Sequence, residues 1–137
     1  MLKQSKIVAT IPSRWNGALG TLHSFGLSEN HVIFIEQPMV VSVSKLFAAL
    51  VKKTSVRDWL EWKGEDKNRF VILTKEGKVN KTEFISKDSF YFMHTINSFE
   101  EEGQIVLDII TYATASVLDM WWMENLRENV IKPSDFP

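Results

Sequence analysis

Histidine is the residue type best able to carry chemistry in this chain, which has three histidines, His23, His31 and His94, and no cysteine. The lack of thiols excludes disulfide bonds, zinc–thiolate sites, iron–sulfur clusters and cysteine nucleophiles. None of the histidines forms the i, i+4 pair that binds a metal from one helix. His23 and His94 lie in apolar, strand-like stretches, where an imidazole without a partner costs about 1–3 kcal/mol. We therefore expect each to be either a metal ligand from a separate strand or a core histidine that is hydrogen-bonded or half-exposed.

Other candidate sites are less specific. His31 follows Glu29 and Asn30, residues typical of a turn, and is predicted to be a surface residue. The acidic run at 100–102 is predicted to be a solvated turn rather than a carboxylate site. The chain has no G-x-S-x-G, P-loop or G-x-G-x-x-G motif, which speaks against serine-hydrolase and nucleotide-binding chemistry.

The composition is that of a packed globular protein, with 45% hydrophobic, 12% aromatic and 24% charged residues among 137. A net charge of −1 speaks against a nucleic-acid-binding protein. No apolar run approaches the roughly 20 residues that cross a bilayer. The apolar run at 7–11 is too short for a signal peptide. These features predict a cytoplasmic protein.

The elements that must position the histidines are mostly strands. Runs rich in β-branched and aromatic residues, bounded by turn residues, predict strands at 6–11, 31–37, 39–43, 68–74, 79–85, 88–96 and 104–113. Apolar residues at helical spacing predict two helices, at 42–53 and 115–129. This pattern predicts an all-β fold with short helices, as a sandwich, barrel or propeller.

Four motifs, in one order, resemble a known family. They are "IPSRW" (11–15), "HSFGLSENHVIFIEQP" (23–38), "HTINSFEEEGQIVLDIITY" (94–112) and "ENLRE" (124–128). Together they are similar to the carotenoid cleavage oxygenases, above all to the animal branch with the β-carotene dioxygenases and the retinoid isomerohydrolase. The resemblance covers nearly the whole chain.

The resemblance implies a fold and a metal centre. The family folds as a seven-bladed β-propeller with a non-haem Fe²⁺ on its axis, held by four histidines from four blades. Residues 1–137 would form about two blades, a fragment of that propeller domain. His23 corresponds to one iron ligand, and His94, which begins an H-x-x-N motif ending at Asn97, corresponds to another. His31 corresponds to no ligand, and the other two ligands would lie outside this sequence.

The chain departs from the family pattern near both histidines. Thr21 and Leu22 stand where aromatic residues are common, and Met93 replaces a usual Phe. Thr95 stands where many animal members have a second histidine. The glutamates that support the ligating histidines in the family have no counterpart that the sequence allows us to place.

The resemblance implies an iron-dependent dioxygenase that uses O₂ to cleave a carotenoid double bond, giving apocarotenals such as retinal. Two alternatives stay open: a truncated, non-catalytic fragment, and a module that binds a retinoid or lipid without chemistry. The segment Val43–Lys53 corresponds to a region that docks on membranes in the family, and its basic, amphipathic character suits such a role. A helix that packs on the next blade is the alternative.

Overall fold

The structure, a computed structural model, describes residues 5–128. Its strands are β1 (Ala18–Gly20), β2 (Gly26–Leu27), β3 (His31–Glu36), β4 (Met39–Ser42), β5 (Leu60–Trp62), β6 (Arg69–Thr74), β7 (Phe84–Ile85), β8 (Tyr91–Glu101) and β9 (Gln104–Tyr112). Its helices are α1 (Val43–Lys52) and α2 (Met123–Glu128), with 3-10 turns at Val56–Trp59 and Ala115–Trp121. The predicted all-β class with short helices is confirmed.

The first seven strands belong to a few long antiparallel segments. The segment at 31–42 contains β3 and β4, and the preceding segment at 18–27 contains β1 and β2. These two segments pair twice, since β3 pairs with β2 and β4 pairs with β1. The segment at 31–42 also pairs twice with the one after it, through β6 and β5. The sheets therefore have the orders β2-β3-β6-β7 and β1-β4-β5. The interruption of the first segment at 21–25 contains His23.

The hairpin β8–β9 forms a separate two-stranded sheet. Its register shifts between Phe92 and Thr95 and again between Thr95 and Asn97. Such irregularities bend a strand and redirect its side chains. In the described part of the chain, β9 pairs with β8 alone, so its other edge is unpaired.

Most predicted strands are confirmed, but the predicted strand at 6–11 is wrong. Within residues 5–128, this stretch pairs with no strand and leaves Ile7 87% exposed. It crosses the turn after β6, where a Cβ on Gly77 would overlap the Val8 carbonyl group. β-branched residues favour an extended backbone, yet a strand also requires a neighbouring edge to accept its hydrogen bonds.

Two further predictions are confirmed only in part. The stretch 79–85 forms a single bridge at Val79 and the short β7, rather than a full hairpin strand. The helical stretch predicted at 115–129 consists of a 3-10 turn followed by α2 up to Glu128, and residue 129 lies outside the described residues.

Helix α1 confirms the prediction at 42–53, but its apolar face is turned outward. Phe47, Leu50 and Val51 are 68%, 69% and 84% exposed, whereas Ala49 is the buried residue of the helix. Lys45 contacts Glu61 on β5 at 2.6 Å. No helix within residues 5–128 is long and apolar enough to span a bilayer.

A cluster of three charges holds the N-terminal segment to the sheet. The Oε2 atom of Glu36 lies 2.8 Å from Nε of Arg69 and 3.4 Å from Nε of Arg14, and all three side chains are mostly buried. The Arg14 backbone N–H also donates to Glu36 Oε1 at 3.2 Å. Loss of the shared carboxylate would leave two guanidinium groups close together without their common partner.

We expect Glu36→Gln to lower the free energy of unfolding by about 2 kcal/mol. The substitution removes the negative charge and leaves the two guanidinium groups largely buried without an ionised partner. Urea denaturation measures this change. The matched control is Glu61→Gln on β5, whose ion pairs with Lys45 and Lys63 are more exposed and are worth about 1 kcal/mol or less. Equal losses of stability in Glu36→Gln and Glu61→Gln would contradict the stabilising role given to the Glu36 cluster.

Candidate metal centre

The structure brings His23 and His94 together. Their imidazole centroids are 4.9 Å apart and their ring planes are perpendicular. Both are exposed, which corrects the expectation that they are core histidines, and His23 lies in a strand interruption rather than in a strand. Their apolar sequence neighbours do not enclose the rings, because the strand break and the register shift place both rings at the surface.

Irregular backbone places each histidine. His23 lies in the interruption between β1 and β2, and His94 lies where the register of β8 shifts. In addition, β2 lies against β8. Gly26 allows close packing there: a Cβ on it would meet Leu107 Cδ1 at 2.7 Å and Ser98 Oγ at 3.2 Å, so the Leu107 side chain would have to move.

Polar contacts on both sides of the histidines join the two segments. Ser24 Oγ and Thr95 Oγ1 share a hydrogen bond of 2.8 Å. The buried Gln37 side chain accepts a hydrogen bond from the Phe92 backbone N–H at 3.0 Å and donates to Thr21 Oγ1 at 3.2 Å. Sequence reasoning missed Ser24 and Gln37, and it treated Thr95 only as a departure from the family. Their positions next to the histidines and in the "EQP" motif are the signals that could have revealed them.

The geometry of the two rings fits a shared divalent metal. An imidazole nitrogen binds such a metal at about 2.0–2.1 Å, so two rings at right angles on one metal have centroids about 4.5–5 Å apart. The observed 4.9 Å lies in that range. Neither imidazole has a hydrogen bond to another group within residues 5–128, so their nitrogens are available to a metal. The described residues contain no cluster of three or more histidine, cysteine or acidic side chains that could hold a metal without further ligands.

His31 and Glu100 form a different polar cluster. Glu100 Oε1 lies 3.0 Å from His31 Nδ1 and accepts a hydrogen bond from Ser28 Oγ at 2.6 Å. Asn30 donates to the same carboxylate through its backbone N–H, at 2.8 Å, and through its side chain, at 2.9 Å. The predicted solvated turn at 100–102 is therefore wrong for Glu100, whereas Glu101 and Glu102 are exposed. His31 is half-buried, in contact with Glu100, rather than a free surface residue.

These donors, with Asn30 first and then Ser28, hold the pKa of Glu100 well below its usual range. A carboxylate whose pKa is lowered by folding stabilises the fold above its unfolded pKa, and this contribution is lost as the pH falls toward the folded pKa. We expect Glu100→Gln to be less stable than the wild type at pH 7, and most of that difference to disappear by about pH 2. Urea denaturation across this pH range measures the difference in stability between the two proteins. A difference that does not change with pH would contradict the stabilising role of the Glu100 carboxylate.

Comparison with known proteins identifies the family. Residues 2–136 match the family model described as RPE65, retinal pigment epithelial membrane protein. The chain is 33% identical over 127 residues to the β,β-carotene 15,15′-dioxygenase of Gallus gallus, and the aligned region covers 93% of this chain and 24% of that protein. It is 27% identical over 135 residues to the carotenoid isomerooxygenase of Drosophila melanogaster, covering 98% and 22%. It is 28% identical over 124 residues to the mitochondrial carotenoid-cleaving dioxygenase of Homo sapiens, covering 90% and 21%.

The chain spans about a quarter or less of the length of these relatives. The family model, by contrast, covers nearly all of this chain and includes both histidine motifs. The resemblance to carotenoid oxygenases that those motifs indicated is therefore confirmed, and the chain belongs to the RPE65 family.

Proposed function

We propose that this chain is part of an iron-dependent dioxygenase that cleaves a carotenoid double bond. The observation that carries the proposal is the pair His23 and His94, which are remote in sequence and have perpendicular rings 4.9 Å apart. The names of the relatives, which include carotene and carotenoid dioxygenases, support the substrate class. Two imidazoles from this chain and further ligands from the rest of the protein would hold the Fe²⁺.

Neutral imidazoles suit Fe²⁺ and leave its charge uncompensated by ligand anions. When bound, the iron supplies activation of O₂, so that both oxygen atoms enter the two carbonyl groups formed from one double bond. Within this chain, His23 and His94 would hold the metal. Leu22, which precedes His23, is 51% exposed, and Ile96, two residues after His94, is 67% exposed; these apolar side chains suit contact with a hydrocarbon substrate.

The proposal includes a propeller. Propeller blades are four-stranded antiparallel sheets around a central channel. The segments at 18–27, 31–42, 60–74 and 79–85 follow one another as antiparallel neighbours, as one blade requires. The hairpin β8–β9 would begin the next blade, and His23 and His94 would then lie on the first strand of each. Residues 1–137 would supply about two of seven blades.

Assay of the full-length protein that contains this segment tests the function. Purified protein incubated in air with β-carotene should release apocarotenals such as retinal, detected by chromatography. A chelator that removes iron should abolish the reaction, and Fe²⁺ should restore it. Retinoid or carotenoid binding without cleavage, in protein to which Fe²⁺ has been supplied, would contradict the proposal and favour the binding module or the non-catalytic fragment.

We also propose that Val43–Lys53 makes peripheral membrane contact in a cytoplasmic protein. The outward apolar side chains of α1 and the adjacent Lys52 and Lys53 suit an interface with anionic lipid. Phe47→Ser combined with Leu50→Ser should reduce co-sedimentation with phosphatidylserine-containing vesicles. The matched control, Ala48→Ser on the same helix, should retain it, and equal sedimentation of all variants would contradict the proposal.

A further inference from the structure

We infer that Gln37 and the hydroxyl pair Ser24–Thr95 are positioning residues that hold the imidazoles of His23 and His94 next to each other. This inference rests on the proposed function, because the consequence of the arrangement is a two-histidine metal site. It concerns residues that do not themselves bind the metal.

The hydroxyl pair fixes the C-terminal side of both histidines. Ser24 follows His23 directly, and Thr95 follows His94 directly. Besides the hydrogen bond of 2.8 Å between their hydroxyl oxygens, the Thr95 backbone N–H donates to Ser24 Oγ at 3.2 Å. Thr95 Oγ1 also donates to the Phe25 carbonyl oxygen at 3.1 Å. The hydroxyl of Thr95 therefore joins the strand that carries His94 to two consecutive residues of the other segment.

Gln37 fixes the N-terminal side of both histidines. Gln37 is 1% exposed, and the oxygen and nitrogen of its side-chain amide bind one segment each. Its Oε1 accepts a hydrogen bond from the backbone N–H of Phe92, two residues before His94. Its Nε2 donates to Thr21 Oγ1 at 3.2 Å and to the Thr21 carbonyl oxygen at 3.4 Å, two residues before His23. Gln37 lies between β3 and β4, so these two strands hold the bridging residue in place.

These contacts replace regular strand pairing where it is missing. His23 lies in a strand interruption and His94 at a register shift, so backbone ladders do not fix their separation. Both side chains are exposed, and within residues 5–128 neither imidazole has a hydrogen bond or ion pair besides the contact between the two rings. Without the contacts on both sides, each ring could move independently, and the two rings would no longer be held at the separation that suits one shared metal. Pre-organised ligands bind a metal more tightly than free ones, because less order is created on binding.

The first test uses the metal-free, 137-residue chain and nuclear Overhauser contacts between the ring protons of His23 and His94. The wild type should show such contacts. Thr95→Val, which keeps the shape but removes the hydroxyl, should lose or strongly weaken them, as should Gln37→Met. Thr95→Ser should restore them. The matched control is Thr74→Val at the end of β6, which removes a threonine hydroxyl remote from the pair and should leave the contacts unchanged.

Amide chemical shifts separate a positioning role from a general loss of structure. In Thr95→Val and Gln37→Met, the shifts of β3 and β6 should stay close to those of the wild type while the contacts between the rings disappear. Persistence of those contacts in both variants would overturn the inference, and so would their absence from the folded wild type.

The second test titrates the same chains with Cu²⁺, which binds nitrogen sites more tightly than the other first-row divalent metals. We expect Thr95→Val and Gln37→Met to bind about 10-fold more weakly than the wild type, as is typical when the groups supporting a ligand are removed. Thr95→Ser and Thr74→Val should match the wild type. Wild-type ring contacts without Cu²⁺ binding would overturn the proposed metal site but not the positioning. Equal Cu²⁺ affinity in all variants would overturn the positioning but not the site.

Discussion

Alanine in place of His23 should lower iron content and carotenoid cleavage at least about 100-fold in the full-length protein that contains this segment. Removal of a group that only supports a ligand already costs about 10–100-fold in metal affinity or activity, and loss of the ligand itself should cost more. His94→Ala should have the same effect, because the two imidazoles would bind one ion. Elemental analysis gives the iron content, and chromatography of the products gives the cleavage rate.

The third histidine provides the matched control. His31 contacts Glu100 rather than the pair of rings, so His31→Ala should retain iron and activity once any loss of stability is allowed for. Retained iron in both His23→Ala and His94→Ala would refute the assignment of the two histidines as ligands. Loss of iron in His31→Ala, in protein that is still folded, would refute the conclusion that His31 is not an iron ligand.

Phe92→Ala should lower the free energy of unfolding by about 3–5 kcal/mol, the usual loss when a large aromatic side chain is removed from a core. Phe92 has no exposed surface and packs near the ring of Phe90, with centroids 6.4 Å apart. Its backbone N–H is held by Gln37. Collapse of the surrounding core should therefore also disturb the nearby His94. Urea denaturation followed by tryptophan fluorescence measures the loss.

The same strand supplies a control for Phe92. Phe99 lies on β8 as well but is 37% exposed, so Phe99→Ala removes the same atoms from a site that is already partly in water. We expect a loss of about 1–2 kcal/mol there, in proportion to the smaller buried area. Similar losses at both positions would contradict the difference in burial between Phe92 and Phe99.

The elements with the clearest periodicity could be predicted from the sequence. Helix α1 has a strong apolar face and β3 is a run of β-branched and aromatic residues, so local pattern decides both. The stretch 6–11 has the same composition as a strand but lacks a neighbouring strand edge to pair with. The local sequence does not show whether such an edge will be available in the fold. The stretch 79–85 does lie beside β6, but it pairs there only at Arg69 and Phe70 and by one bridge at Leu73, so composition alone overestimated the length of the strand.

The candidate site could be predicted from the sequence only through the family motifs. Spacing does not indicate that His23 and His94 meet, because their contact depends on the packing of β2 against β8. Gln37 follows directly after a strand and gives no sign that its amide is buried between two other segments. Glu100 looked like part of an acidic turn because its donors, Ser28 and Asn30, are remote in sequence.

The unpaired edge of β9 has a practical consequence for the handling of this chain. Free backbone N–H and C=O groups along an edge strand favour association with another chain. Ile110 on that strand is 45% exposed, which adds an apolar side chain to the edge. We therefore expect the isolated chain to self-associate as its concentration rises. Thr111→Lys, which adds a charge to the exposed side of β9, should keep it monomeric at the concentrations that spectroscopy needs.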